Sequence, residues 1–357
     1  MHGDTRDVRR GEELDRERLS AYLRWHLADD DIPGLHLGED MEVSQFPGGH
    51  SNLTYLIRFG GGELVLRRPP LGPLPPRAHD MAREYRWLAA LHPVFPLAPR
   101  PYLLCEDPDV LGCVFYVMER RRGLVVRGDE PMPLAGHPER RQQLSESMID
   151  TLADLHRVDI EAPGIAGLGR PIGFLDRQVR GWTERWTHAK LDALPAMDSV
   201  ALWLAAHQPP ETLEAAIVHG DFKIDNVLLD PLDPSRLVAV FDWEMAALGD
   251  PLVDVGILLA YWTIASDVGQ ADALASVTDR PGYLGRDALV ERYSLASGRD
   301  LSDIAFYETF AVFKIAVVIQ QIYARYRRGQ TADARFAGLG ERVEALAHRA
   351  LTLTSGA

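Results

Sequence analysis

The sequence is short of three things, and each shortage narrows what the protein does. It has two cysteines in 357 residues, Cys105 and Cys113, eight positions apart on apolar segments and with no CxxC spacing. Neither a disulfide framework nor a thiolate zinc site is expected from them, and a reducing cytoplasm is the natural setting. Positive charge is also short: 38 Lys and Arg face 52 Asp and Glu, a net charge of −14. A nucleic-acid binder needs a basic surface to displace counterions, so no nucleic-acid partner is expected. Long apolar runs are missing as well. The longest run free of Asp, Glu, Lys, Arg and His, between Asp254 and Asp267, has 12 residues, short of the ~20 that a membrane span needs. The charged opening MHGDTRDVRRGEELDRERL has no apolar core of the signal-peptide kind. No membrane partner is expected.

What is present is ordinary globular composition, 46% hydrophobic and 25% charged, in a chain long enough for two lobes. Residues 13–28 carry Leu14, Leu19, Leu23 and Leu27 on one helical face. Alternating segments Met41–Phe46, Leu53–Phe59 and Glu63–Arg67 then read as strands separated by Gly-rich turns. A helix over Ala78–Leu91 and strands over Tyr102–Cys105 and Cys113–Met118 follow. Beyond them the pattern turns helical, over 138–157, 172–188, 197–207, 252–266, 285–296, 301–328 and 333–352. The strand signals in this half are 216–218, 227–229 and 237–241. The fold class expected is α+β, with a small β-rich lobe over 1–118 and a larger helical lobe over 119–357. The apolar stretch from Phe306 to Tyr323 reads either as a buried helix or as the face of a homodimer.

The chemistry concentrates in VHGDFKIDNVLLD, residues 218–230. Two apolar runs flank a loop that holds His219, Asp221, Lys223, Asp225 and Asn226, groups costly to bury unpaired. Asp242, in FDWE, comes sixteen residues after Asn226. A hairpin over 227–229 and 237–241 would make Asn226 and Asp242 neighbours. A carboxylate beside a carboxamide oxygen suits Mg²⁺, which takes its remaining ligands from water and phosphate. Asp221 is placed to accept a proton from a hydroxyl nucleophile, and Lys223 to neutralise a phosphoryl group in transfer. Asp and Asn are common in turns for capping reasons alone; the joint spacing is the specific signal. The other His-Gly-Asp, His2-Gly3-Asp4, follows no strand and is given no role.

The HGDxxxxN loop, hairpin and Asp resemble those of the aminoglycoside phosphotransferase and choline kinase superfamily, with its protein-kinase-like fold. The likeness runs from about residue 30 onward. It implies a phosphate-covering turn at FPGGHSNLTY, with Gly49, Ser51 and Asn52 toward the nucleotide. It also implies a basic residue on the third strand paired with a Glu on the next helix. Here these are Arg67 and Glu84, where the superfamily has Lys; Arg68 is the alternative, and strand parity with Val65 favours Arg67. Backbone groups near Met118, Glu119 and Arg120 would meet the adenine edge. The run Arg120–Arg122 reads as a solvated charge patch. His219 and Asp254 are expected to support the loop rather than react, and Asp250 to cap the helix that follows, with Pro251 at its first turn.

The resemblance implies a Mg²⁺-dependent kinase using ATP, with GTP left open, and a small hydroxylated acceptor. Residues 301–357 carry a net charge of +2, the wrong sign for a polycationic aminoglycoside. The runs LVLRRPPLGPLPPRAHDMAREYRWLAAL, VFYVMERRRG and FDWEMAALGDPLVDVG resemble most the kinase-like domains associated with acyl-CoA dehydrogenases. That branch implies a hydroxyacyl-CoA or hydroxy acid, with Arg325, Arg327 and Arg328 toward the CoA. Trp182, Trp186, Tyr261, Trp262 and Phe306 read as core or as walls of an acyl pocket. The alternatives are a catalytically silent nucleotide-binding module and an antibiotic kinase.

Overall fold

The computed structural model describes residues 4–47, 52–72, 79–212, 214–267, 277–331 and 333–355. They divide into two units. The first comprises Met1–Arg122, Pro163–Ile165 and Ala239–Glu244; the second comprises Gly123–Ala162, Ala166–Val238 and Met245–Ala357.

The first unit is built on five antiparallel strands. β1 (Met41–Gln45), β2 (Leu53–Phe59), β3 (Gly62–Arg68), β4 (Pro101–Cys105) and β5 (Phe115–Glu119) lie in the order β1-β2-β3-β5-β4. In β2, Leu53, Tyr55, Ile57 and Phe59 alternate into a core shared with Leu19 and Leu23 of α1 (Arg16–His26). The β2–β3 register sets Thr54 opposite Arg67. A slip of one residue would turn Arg67 to the other face, so this pairing fixes which Arg looks where. Helix α2 (Met81–Leu91) starts three residues later than its apolar pattern suggests, because the Asp80 carboxylate accepts the Arg83 N–H at 2.9 Å and caps it there. A short helix, α3 (Pro108–Leu111), precedes β5.

The second unit is mainly helical: α4 (Pro138–His156), α5 (Phe174–Ala189), α6 (Pro195–Ala206), α7 (Leu252–Tyr261), α8 (Arg286–Ser297), α9 (Ile304–Arg327) and α10 (Leu339–Ser355). Strand β6 (Ala216–Val218) pairs with β9 (Ala247–Gly249), while β7 (Val227–Leu229) and β8 (Leu237–Val240) form a second two-stranded sheet. Helix α9 is the centre of this unit, with α5, α6, α7 and α10 against it. Among the described residues it alone is long and apolar enough to cross a membrane, and 67% of that apolar window is buried within the protein. It is a core helix. Trp182, Trp186 and Phe306 belong to the same core, so three of the five aromatics weighed as pocket walls are packing residues.

Several boundaries differ from the sequence reading. α7 stops at Tyr261 rather than 266, because Trp262 turns extended and its indole donates to the Leu284 carbonyl at 2.9 Å. α10 begins at Leu339, after a 3₁₀ turn at Ala334–Phe336 that Asp333 caps. Pro251, expected inside α7, is its N-cap; Asp250 still accepts the Leu252 N–H at 3.0 Å and also the Tyr307 hydroxyl at 2.6 Å. Strand β9 went unread, since three residues carry no period.

Candidate active site

In the second unit, β6 delivers the chain into the His219–Asp221 turn. Gly220 sits at φ +83°, where a Cβ would lie 2.8 Å from the Met245 Cβ; only glycine fits this left-handed, closely packed turn. Asp254, fully buried on α7, grips the turn from one side, its two oxygens accepting the N–H of His219 at 2.6 Å and of Gly220 at 2.7 Å. Burial alone would raise the Asp254 carboxyl. The His156 hydrogen bond and charge, with His219 and the Gly220 N–H, outweigh it and hold the group low. Burial pushes the His156 imidazole down, and the Asp254 hydrogen bond and charge pull it part of the way back. Its Nε2 lies 3.3 Å from an Asp254 carboxylate oxygen. His219 donates its own backbone N–H and accepts the Asp221 N–H at Nδ1, 3.2 Å away.

Asp221 leaves this turn with its carboxylate already engaged. Oδ2 takes the Lys223 ammonium at 2.8 Å and the Asn226 amide at 2.9 Å. Burial pushes the Lys223 ammonium down, but Asp221 and then Tyr261 outweigh it, so it stays charged. Its Nζ also sits 4.6 Å from the centre of the Tyr261 ring. Because the Asn226 Nδ2 is spent on the Asp221 carbonyl and carboxylate, its amide oxygen is turned away from them. That orientation presents a hard oxygen, the kind a Mg²⁺ ligand needs.

In the first unit, Arg67 bridges two carboxylates. Its guanidinium reaches Glu84 on α2 at 2.9 Å and Asp242 at 2.5 Å. Two nitrogens of one planar fork thus serve two acids, an arrangement that a lysine point charge does not reproduce. Arg68, its neighbour, makes neither contact. Asp242 is held at φ +69°, a strained conformation for a residue with a side chain and one typical of functional sites. Asn226 belongs to the helical unit and Asp242 to the sheet unit.

Other expected site residues have varied surroundings. Asn52 is buried, with Nδ2 donating to Glu244 at 3.0 Å and Oδ1 meeting the His79 ring at 2.9 Å, so its amide builds a local network. Gly49 and Ser51 lie outside the described residues. Met118 is buried within β5, and the Glu119 N–H donates to the Arg100 carbonyl at 2.7 Å. The solvated reading of Arg120–Arg122 needs correcting. Arg120 pairs with Asp4 and lies 4.9 Å from the Phe46 ring centre, and Arg121 pairs with Glu119 at 2.8 Å. Arg122 alone is exposed, at 75%. Nearby acids and a ring gave the first two somewhere to go.

One residue of the loop's surroundings was missed. Lys314 on α9 donates to the Gly220 carbonyl at 2.5 Å. Its signal was a lone basic residue in the apolar stretch from Phe306 to Tyr323.

The donor set can be tested against Mg²⁺. Among the described residues no group of three or more His, Cys, Asp or Glu side chains forms a metal cage. The Asn226 amide oxygen in one unit and the Asp242 carboxylate in the other are each a hard-oxygen donor of the kind Mg²⁺ takes beside phosphates and water.

Comparison with known proteins adds an independent line. The sequence profile of the phosphotransferase enzyme family matches residues 42–289. Acyl-CoA dehydrogenase family member 11 of Gallus gallus is 34% identical over 98% of this chain and 45% of its own length. The chain therefore spans about half the length of that curated relative. A solved chain from Ralstonia eutropha, provisionally named an aminoglycoside phosphotransferase, is 31% identical with a TM-score of 0.79, covering 96% of this chain and 99% of its own. An aminoglycoside phosphotransferase solved with AMP-PNP and hygromycin B shares the fold at 15% identity and a TM-score of 0.57, over 94% of this chain and 99% of its own. The α+β, kinase-like fold expected from the sequence is thus the fold this chain has.

Proposed function

The chain belongs to the phosphotransferase enzyme family, and from that premise we propose that it is a Mg²⁺- and ATP-dependent kinase acting on the hydroxyl of a hydroxyacyl-CoA or hydroxy acid. The observation that carries the reading is the state of Asp221: a carboxylate presented from a clamped turn, with Lys223 at 2.8 Å on one of its oxygens. Asp221 orients the acceptor hydroxyl and takes its proton, and Lys223 balances charge on the group in transfer. Asn226 and Asp242 would hold Mg²⁺, which would neutralise charge on the phosphate oxygens. Arg67, fixed by Glu84, meets the α- and β-phosphates. Gly49 and Ser51 are assigned to the same phosphates, and backbone near Met118–Arg120 to the base.

The relative's name supports acyl-CoA chemistry for the acceptor, and the net charge of +2 on residues 301–357 suits an anionic molecule better than an aminoglycoside. Arg67 in the place of the superfamily's Lys favours a second reading, a nucleotide-binding module without transfer.

Transfer from γ-labelled ATP separates them. The acceptors would be 3- and 4-hydroxyacyl-CoAs, free hydroxy acids, choline, homoserine and kanamycin, with GTP as alternative donor. Label on a hydroxyacyl-CoA or hydroxy acid, falling by roughly 10²–10⁴-fold in Asp221→Asn, is the expected result. Efficient labelling of kanamycin alone would replace the acceptor class. Tight nucleotide binding with no labelled acceptor would favour the silent module.

A further inference from the structure

Lys314 has no part in the function proposed above, yet it occupies an unusual place. It lies in the apolar middle of α9 and is 6% exposed. Its ammonium is 5.3 Å from the centre of the Trp182 ring and donates to the Gly220 carbonyl at 2.5 Å. Burying an ammonium is costly unless it is paired. A methionine would fill the same space without that cost, so packing does not account for the charge.

The bond accounts for it. The Gly220 carbonyl and the Asp221 N–H belong to one planar peptide group. At Gly220 itself the backbone has no Cβ to restrict it, so the orientation of that plane depends on what holds its two polar ends. Lys314 holds the carbonyl end, and His219 Nδ1 accepts at the N–H end, 3.2 Å away. On the preceding peptides Asp254 holds the two N–H groups. A rotated plane would lose the Lys314 and His219 contacts together.

We propose that Lys314 is a positioning residue of the catalytic loop: its ammonium locks the Gly220–Asp221 peptide plane and thereby sets the direction in which Asp221 presents its carboxylate. The effect on turnover rests on the reading of Asp221 as the acceptor's base; the effect on the loop does not. Asp221, Asp254, Lys223 and Arg185 are the charged groups that face the ammonium. Burial pushes it down to about 8, the two acids pull upward, and Lys223 and Arg185 push further down. The charged bond is complete below that pH and weakens above it.

The test compares the full chain with Lys314→Met and Lys314→Arg. Hydrogen exchange is followed in peptides covering 216–228, beside Tm, kcat and KM for Mg-ATP, with the acceptor identified by the labelling panel, or water. Expected in Lys314→Met is faster exchange in 216–228 by about tenfold, with kcat lower by roughly 10²-fold and KM for ATP within about twofold. Lys314→Arg restores most of the protection and of kcat. It also moves the alkaline limb of the kcat profile, expected near the lysine's value of about 8, to higher pH. If Lys314→Met does not fold, that shift of the alkaline limb decides. Unchanged exchange at 216–228, or a fall in Tm with kcat intact, would overturn the proposal in favour of packing. Faster exchange in a protein that transfers phosphate to nothing would uphold the positioning role and sink the kinase reading alone.

Discussion

Glu84 is 1% exposed and shares the Arg67 guanidinium with Asp242. Its pairing with Arg67 is an ion contact without an aligned hydrogen bond to either carboxyl oxygen. Burial pushes its carboxyl up from 4.5 to about 7; Arg67 pulls downward, while Asp242 and Glu244 add to the rise. Arg67 loses by burial too, but Glu84 and Asp242 hold its guanidinium well above the usual value, so the cation of this trio is permanent. The folded state therefore holds more protons than the unfolded one between 4.5 and about 7, and stability falls as pH rises across that window. Glu84→Gln should flatten the fall, by at most about 3 kcal/mol, in urea titrations at about pH 5 and about pH 8. An unchanged slope would mean that Glu84 is ionised throughout. The family resemblance implied a basic partner for Glu84, and strand parity favoured Arg67 over Arg68. The load from Asp242 was not legible, because that contact joins positions 175 residues apart.

Helices α7 and α9 each carry one of the two grips on the His219–Asp221 turn, Asp254 on the first and Lys314 on the second. They meet at Gly256, where a Cβ would stand 2.4 Å from the Tyr307 carbonyl. Backbone cannot move aside as a side chain can, so Gly256→Ala should push the helices apart and cost about 1–3 kcal/mol or more. Turnover should fall with stability, since the two grips separate. Thermal melts and kcat would be compared with Gly338→Ala, where nothing lies within 4 Å of the added carbon. A Gly256→Ala protein with native Tm and native kcat would show that the loop does not depend on this helix contact. The apolar periodicity of both helices was plain in the sequence. Their mutual approach was not, because periodicity tells which face is buried and not against what.

The molecule as a whole carries a net charge of −14 and has no ready-made metal cage among its described residues. The proposed function gives metal a part in the reaction and none in the fold. Chelation by EDTA should abolish transfer while leaving Tm within about 1 °C, unlike a structural metal site, whose removal unfolds the protein. A large fall in Tm on chelation would place metal in the architecture. By itself the sequence determined most of the strands and helices and the loop from His219 to Asn226; the partnership of Glu84 with Arg67 came from the family resemblance, with strand parity choosing Arg67 over Arg68. The elements and the loop rest on short-range spacing: a period of two, a period of 3.6, or fixed offsets within one loop. Only the tertiary structure decided that Arg67 serves two acids, that Asn52 is engaged with Glu244 and His79, and that Lys314 reaches Gly220 from 94 residues away. Those are contacts between distant segments, set by how buried polar groups find partners once the apolar faces have packed.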